Sequence, residues 1–157
     1  MDGQVGISVV DGARASVTGS TVSGAICDHP SCGPDFLTQV QGAGILALGV
    51  APGTVISQNL ITNNDIGLAV GGTVDCCRIS QNAFRANRYY GIAIVDGRQT
   101  VSSTTVTGGL VGVASVSFEA PTTAVLDQVV ITGATTPVQE LSCCGLPSTV
   151  QGSYFIR

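Results

Sequence analysis

The chain has 157 residues, of which 44% are hydrophobic and 10% charged, and its net charge is −4. That length fits one domain with its own core, and so much apolar material with so little charge excludes a disordered chain. The six basic residues, all arginine, are scattered without a patch or stripe, which argues against a nucleic-acid surface, and no apolar run reaches the ~20 residues of a membrane-spanning helix.

With so few charges, the polar surface has to come from Ser, Thr, Asn, Gln and Gly. Glycine alone contributes 21 residues, beside frequent Val, Ile and Thr. That mixture favours many short strands joined by tight turns. The start, MDGQVGISVV, lacks the basic region and apolar stretch of a signal peptide. The expectation is one domain over residues 1–157, cut from a longer exported chain and placed outside the cell or on its surface.

In chain order, GISVVDG (Gly6–Gly12) alternates apolar residues with period two, the pattern of a strand with one buried face. VTGSTVSG (Val17–Gly24) follows, with an aliphatic residue and another five positions later. Next comes AICDHPSCGPDFLTQVQ (Ala25–Gln41), which holds the single histidine, His29. After it the two registers recur: Gly44-Ile45, ISQNLITN (Ile56–Asn63), GLAVGG (Gly67–Gly72), ISQNAFRA (Ile79–Ala86), GIAIVDG (Gly91–Gly97), VSSTTVTG (Val101–Gly108), Gly112-Val113, LDQVVITG (Leu126–Gly133) and VQGSYFIR (Val150–Arg157). The anchors Val17, Ile56, Ile79, Val101, Leu126 and Val150 are separated by 39, 23, 22, 25 and 24 residues. The long interval reads as one unit carrying an inserted loop.

A unit of this size cannot bury its own apolar face. Stacking units, with each strand about 4.8 Å from its equivalent, solves the problem. With G-I-x-aliphatic followed by I-x-x-N-x-I, the chain resembles the right-handed parallel β-helix proteins with pectate-lyase-like repeats, over nearly its whole length from Gly6 to Ile156. The resulting fold class is all-β: a right-handed parallel β-helix of about six coils, with one inserted loop near residues 25–41. Handedness is what the resemblance implies. The fold hosts lyases, hydrolases, epimerases, adhesins and non-catalytic proteins, so it does not fix an activity.

Equal offsets from the anchors predict neighbours on adjacent coils. Asn59 and Asn82, and likewise Asn64 and Asn87, are expected to stack as amide ladders. Asp65 and Arg88 share an offset and should form a surface ion pair worth under ~1 kcal/mol. Arg85, Tyr89 and Tyr90 lie beside them in FRANRYYG (Phe84–Gly91). Arginine with exposed tyrosine suits a uronate-containing sugar, since guanidinium binds carboxylate and rings stack on C–H faces. Asp65, Arg85, Arg88, Tyr89 and Tyr90 are therefore the candidate ligand contacts, against the plainer reading of a solvated turn.

Asp11 and Asp96 also match, but three rungs separate them by about 14 Å, too wide for a pair of glycosidase carboxylates. They read better as Asp-Gly turn residues. Six cysteines allow 15 connectivities. Cys27 with Cys32 is the favoured disulfide, with a zinc site including His29 as the weaker rival. No metal and no cofactor are expected. His29 as a general acid or base has no nucleophile that the sequence places beside it.

Among functions, a non-catalytic scaffold or glycan- and surface-binding module of an exported protein fits best, with a polysaccharide as partner. The alternative is a carbohydrate-active lyase, hydrolase or epimerase acting on acidic polysaccharide. It lacks an expected acidic cluster, since no two successive coils repeat Asp or Glu at one offset. Ice binding needs a flat Thr ladder, and Arg85 interrupts the one between Thr62 and Thr107. Open end rungs would also permit end-to-end self-association.

Overall fold

The computed structural model describes residues 4–72 and 75–157. Its regular elements are all β-strands, wound into parallel coils. The first coil holds β1 (Val5–Val10), β2 (Ser16–Thr18) and β3 (Thr21–Ser23). The second holds β4 (Ala43–Leu48), β5 (Thr54–Ser57) and β6 (Leu60–Thr62), and the third β7 (Ile66–Gly71), β8 (Cys77–Ser80) and β9 (Ala83–Arg85). β10 (Tyr90–Val95), β11 (Gly97–Ser102) and β12 (Thr105–Thr107) make the fourth. Four coils thus have three separate strands. In the rest, β13 (Val111–Ser117) is followed by the long β14 (Thr122–Thr132), and β15 (Thr136–Ser142) by β16 (Ser148–Ile156), each long strand fusing the second and third positions. The first sheet stacks β1-β4-β7-β10-β13-β15, and the second sheet runs from β2 to β14 and back to β3, with β16 added on β14.

The anchors stack as their spacing requires. Val17 pairs with Ile56, Ile56 with Ile79, Ile79 with Val101, and Val101 with Leu126. All five are buried. The Gly-aliphatic register stacks too, as Ile7, Ile45, Leu68, Ile92, Val113 and then Val138.

The last anchor is the exception. Val150 pairs with Ala124, and Gly152 lies opposite Leu126. β14 carries one extra residue, Gln128, between Asp127 and Val129, with φ of +56°. Val150 therefore sits two residues early, already ahead of the bulge, and Phe155, opposite Val130, one residue early. Tyr154 packs against the core in place of Phe155, which is 56% exposed.

The corners explain the asparagines. Gln58, Asn63, Gln81 and Ala86 all have φ between +50° and +59°, and the residue after each is an inward, buried Asn. Asn59 Nδ2 donates to Asn82 Oδ1 at 3.0 Å, and Asn64 Nδ2 to Asn87 Oδ1 at 3.0 Å. The expected ladders are present, and they also satisfy backbone. Asn82 Oδ1 accepts the Asn59 N–H, while Asn82 Nδ2 donates to the Ile56 carbonyl. Asn87 does the same for the Asn64 N–H and the Ile61 carbonyl. Each amide replaces bonds that the bend has taken out of the ladder.

Asp11, Gly49, Gly72 and Asp96 form a third column of positive φ, in keeping with turn residues rather than a carboxylate pair.

The glycines that open each coil do something different. A Cβ at Gly67 would stand 2.5 Å from the Gly91 carbonyl oxygen, 2.6 Å from Phe84 Cδ1 and 2.8 Å from Asn87 Nδ2. Glycine here makes room for the asparagine and for the next strand. Gly67→Ala should lower stability by about 3 kcal/mol through overpacking. Gly133→Ala, at φ of +67° with open space around it, should cost only about 1 kcal/mol. Urea denaturation of both variants checks the ordering; equal losses would remove the close-packing account.

Candidate binding face on the first sheet

The middle of the first sheet is buried on both sides. β7 and β13 are buried at every position, and β10 at all but its last. Its inner side chains join the main core, while Ala43, Ile66, Ala69, Tyr90, Ala93, Val111 and Ala114 form a second apolar cluster outside. The alternation in GLAV and GIAIV reads as one buried face, yet the intervening alanines are apolar too. Such runs mark a strand covered on both sides.

The cover is the inserted segment, a strap leaving after Ala25 and returning at Gly42. Its Phe36 meets Tyr90 edge-to-face, with ring centroids 5.3 Å apart, and packs near Phe118 at 6.2 Å. The Tyr90 hydroxyl donates to the Pro34 carbonyl at 2.7 Å. Cys27 and Cys32 are joined, as expected from the sequence. The adjacent pairs Cys76–Cys77 and Cys143–Cys144 are also disulfides. Within the strap, Asp35 accepts the Leu37 N–H and the Thr38 hydroxyl, and Gln41 Nε2 donates to the Gly33 carbonyl.

Asp65 ties down the strap. Its Oδ2 accepts the Cys27 N–H at 2.7 Å and the Gly42 N–H at 3.0 Å, one at each root. Its own N–H donates to the Ala25 carbonyl, and its carbonyl accepts from the Tyr89 and Tyr90 N–H groups. Its Oδ1 faces Arg88 Nη1 at 3.5 Å. The ion pair read from the shared offset is therefore present, but it is not a surface pair: the Asp65 side chain is 0% exposed and that of Arg88 50%.

Two expected contact residues are thus corrected. Asp65 is committed to backbone, and Tyr90 is buried beneath Phe36, because the strap returns over both. Arg85 and Arg88 are exposed and Tyr89 is half-buried, with the Arg88 guanidinium 4.7 Å from the Tyr89 ring centroid. Arg85 lies between Thr62 and Thr107 in its sheet.

Between the strap and the outer face of the first sheet lies a cleft of about 660 Å³. Phe36 and Val40 line it from the strap, Ala43, Leu46, Leu48, Ile66, Ala69 and Val95 from the strands, and Asp96 and Glu119 from the bends beyond them. Asp96 Oδ1 accepts the N–H groups of Phe118, Glu119 and Ala120 at 2.7, 3.0 and 3.2 Å. The sequence reading misses this cleft, since its signal is the apolar outer face rather than any polar motif.

No family model, curated protein or solved structure matches the chain. Its chemistry has to be read from its own side chains. His29 Nδ1 lies 2.9 Å from Ser31 Oγ, a hydroxyl the sequence reading does not pair with it. The same nitrogen accepts the Ser31 N–H, so this is a local turn contact. Among the described residues, no three His, Cys, Asp or Glu side chains come together as a metal site.

The strap is held by groups with opposite pH limits. The Thr38 hydroxyl and the Leu37 N–H hold the Asp35 carboxyl below its ordinary range. Burial raises the Tyr90 hydroxyl, with the nearby Asp35 charge acting in the same direction. The Asp35 contribution is complete above about pH 4 and is lost as pH falls through its depressed value. That of Tyr90 is complete below about pH 10 and is lost as pH rises through its raised value. Hydrogen exchange of residues 33–41, corrected for intrinsic rates, should therefore be slow between these limits and faster beyond both.

Asp65→Leu should cost about 3 kcal/mol, because it leaves two buried N–H groups without an acceptor. It should also open the strap to chymotrypsin at Phe36. Arg88→Gln, which takes the partner from a buried carboxylate but leaves its N–H bonds in place, should cost about 2 kcal/mol and leave the strap protected. Equal proteolysis of the two variants would refute the clasp.

Proposed function

We propose that the chain is a non-catalytic β-solenoid module of an exported protein that recognises an acidic polysaccharide along the edge formed by Arg85, Arg88 and Tyr89. The observation that carries this reading is the stacked pair. Arg88 is half exposed over the Tyr89 ring, so one surface offers a guanidinium for a uronate carboxylate and a ring for a sugar face. Arg85 extends the positive edge from β9. Asp65, the carboxylate at that edge, is occupied by peptide N–H groups, which favours binding over turnover. Three disulfides fit an oxidising compartment. The resemblance to pectate-lyase-like repeats points the same way, as an analogy of fold.

A carbohydrate-active enzyme is the second reading, favoured by Asp96 and Glu119 lining one cleft from successive coils.

Affinity electrophoresis through polygalacturonate and through dextran separates these readings. Retardation by the polyuronate alone is expected, weakening with salt. In the Arg85→Gln/Arg88→Gln variant, which removes both guanidinium groups, it should fall at least about tenfold, the loss of one or more charge-assisted hydrogen bonds. Equal retardation by dextran, or none by either polymer, would sink the glycan reading. Release of reducing ends or unsaturated uronides would replace it with the enzyme.

A further inference from the structure

The cleft beneath the strap is distinct from the arginine edge, and its lining is of another kind. Ten of its thirteen lining residues are apolar, and none is basic. Its floor is set by the small, buried Ala43 and Ala69, which leave space between the larger Leu46, Ile66 and Val95. Its volume of about 660 Å³ is that of a small-molecule pocket, for which roughly 300–1,000 Å³ is usual. The strap that walls it is pinned at both roots and at Phe36, so little ordering is left for a ligand to impose.

The polar end is acidic. The two charged residues in the lining, Asp96 and Glu119, are both carboxylates. Three N–H groups from residues 118–120 fix Asp96 through Oδ1. Among the described residues nothing bonds Oδ2, which is left to accept. Glu119 is exposed on the same bend. Beside this end a second recess of about 380 Å³ shares Leu48, Val95, Asp96 and Glu119 and is floored by Gly49, Gly71 and Gly72. A polar head placed there would meet two carboxylates and backbone without crowding.

We propose that this cleft is a binding site for a small amphipathic amine, with the apolar body against Ala43, Ala69 and Phe36 and the ammonium group between Asp96 and Glu119. Charge complementarity selects the occupant. An ammonium group donates three hydrogen bonds where acceptors converge, whereas a carboxylate or phosphate head meets like charge. The apolar walls require a hydrocarbon body, and each buried CH₂ raises affinity about fourfold.

Calorimetric titration of the folded chain with octylamine, decylamine, decanol and decanoate near neutral pH tests this. Decylamine should bind about fifteenfold more tightly than octylamine. It should also exceed decanol and decanoate by about tenfold or more. Asp96→Asn/Glu119→Gln should bring decylamine down to the level of decanol while leaving decanol unchanged. Ala69→Phe, which fills the floor, should abolish binding of all four. The exposed single change Glu119→Gln keeps the test open if Ala69→Phe does not fold.

Equal binding of decanoate and decylamine, an amine preference that survives loss of both carboxylates, or no binding of any probe would overturn the proposal. So would a dimer in solution that Ala69→Phe converts to monomer, which would assign the cleft to a second copy. Arg85→Gln/Arg88→Gln should leave amine binding intact, so failure of the glycan reading and failure of this one are separately visible.

Discussion

A coil of this length has to bend between its sheets, and each bend removes peptide groups from the strand ladder while keeping them buried. A buried peptide group without a partner costs about 1–3 kcal/mol, and the cost recurs with every coil. Here one residue enters the left-handed region, as Gln58, Asn63, Gln81 and Ala86 do. The next sends an asparagine amide inward to replace the lost bonds. Asparagine suits the task because one short side chain supplies both a donor and an acceptor. The amides also bond to one another across coils. The opening glycines depend on this arrangement, since any side chain at Gly67 would strike Asn87 and the following strand.

The same reliance on neutral amides lets the protein carry so few charges. The one carboxylate-to-guanidinium contact among the described residues, the buried Asp65 with Arg88, has another purpose. Asp65 sits nine residues past its anchor, one past the inward Asn64, where the chain leaves the corner for the first sheet. In the preceding coil that place opens into the strap. The strap roots present two N–H groups with no strand to pair with, and a carboxylate accepts both. Arg88, from the next coil, offsets the buried charge.

The repeat was legible because its physics is periodic. Stacked positions face the same demands, so Val17, Ile56, Ile79, Val101 and Leu126 had to be aliphatic, and the Asn pairs had to share offsets. Reading failed where the period breaks. Gln128 inserts a bulge in β14 that β16 lacks and that hydropathy does not mark, so Tyr154 rather than Phe155 turns inward, while ahead of it Val150 lies opposite Ala124 rather than Leu126. Asp65 and Tyr90 read as surface residues because what covers them is the strap, a segment remote in sequence. The cleft was illegible for the same reason. Its lining joins Phe36 and Val40 to strands of several coils and to the bend at Glu119, and no local pattern spans those distances.

Whether a position belongs to the repeat decides where recognition can arise. Side chains within the stacked coils are fixed by neighbours above and below, so a change in one rung strains two others. Positions released from the repeat carry no such burden. The strap and the bend carrying Glu119 are of this kind, and both stand around the first sheet. Its outer face can remain apolar because the strap covers part of it, and the part left uncovered is the cleft. A solenoid with one strapped face thus keeps side chains that lie outside its repeat beside its least polar surface, a combination that favours binding of molecules with both a charged and an apolar side.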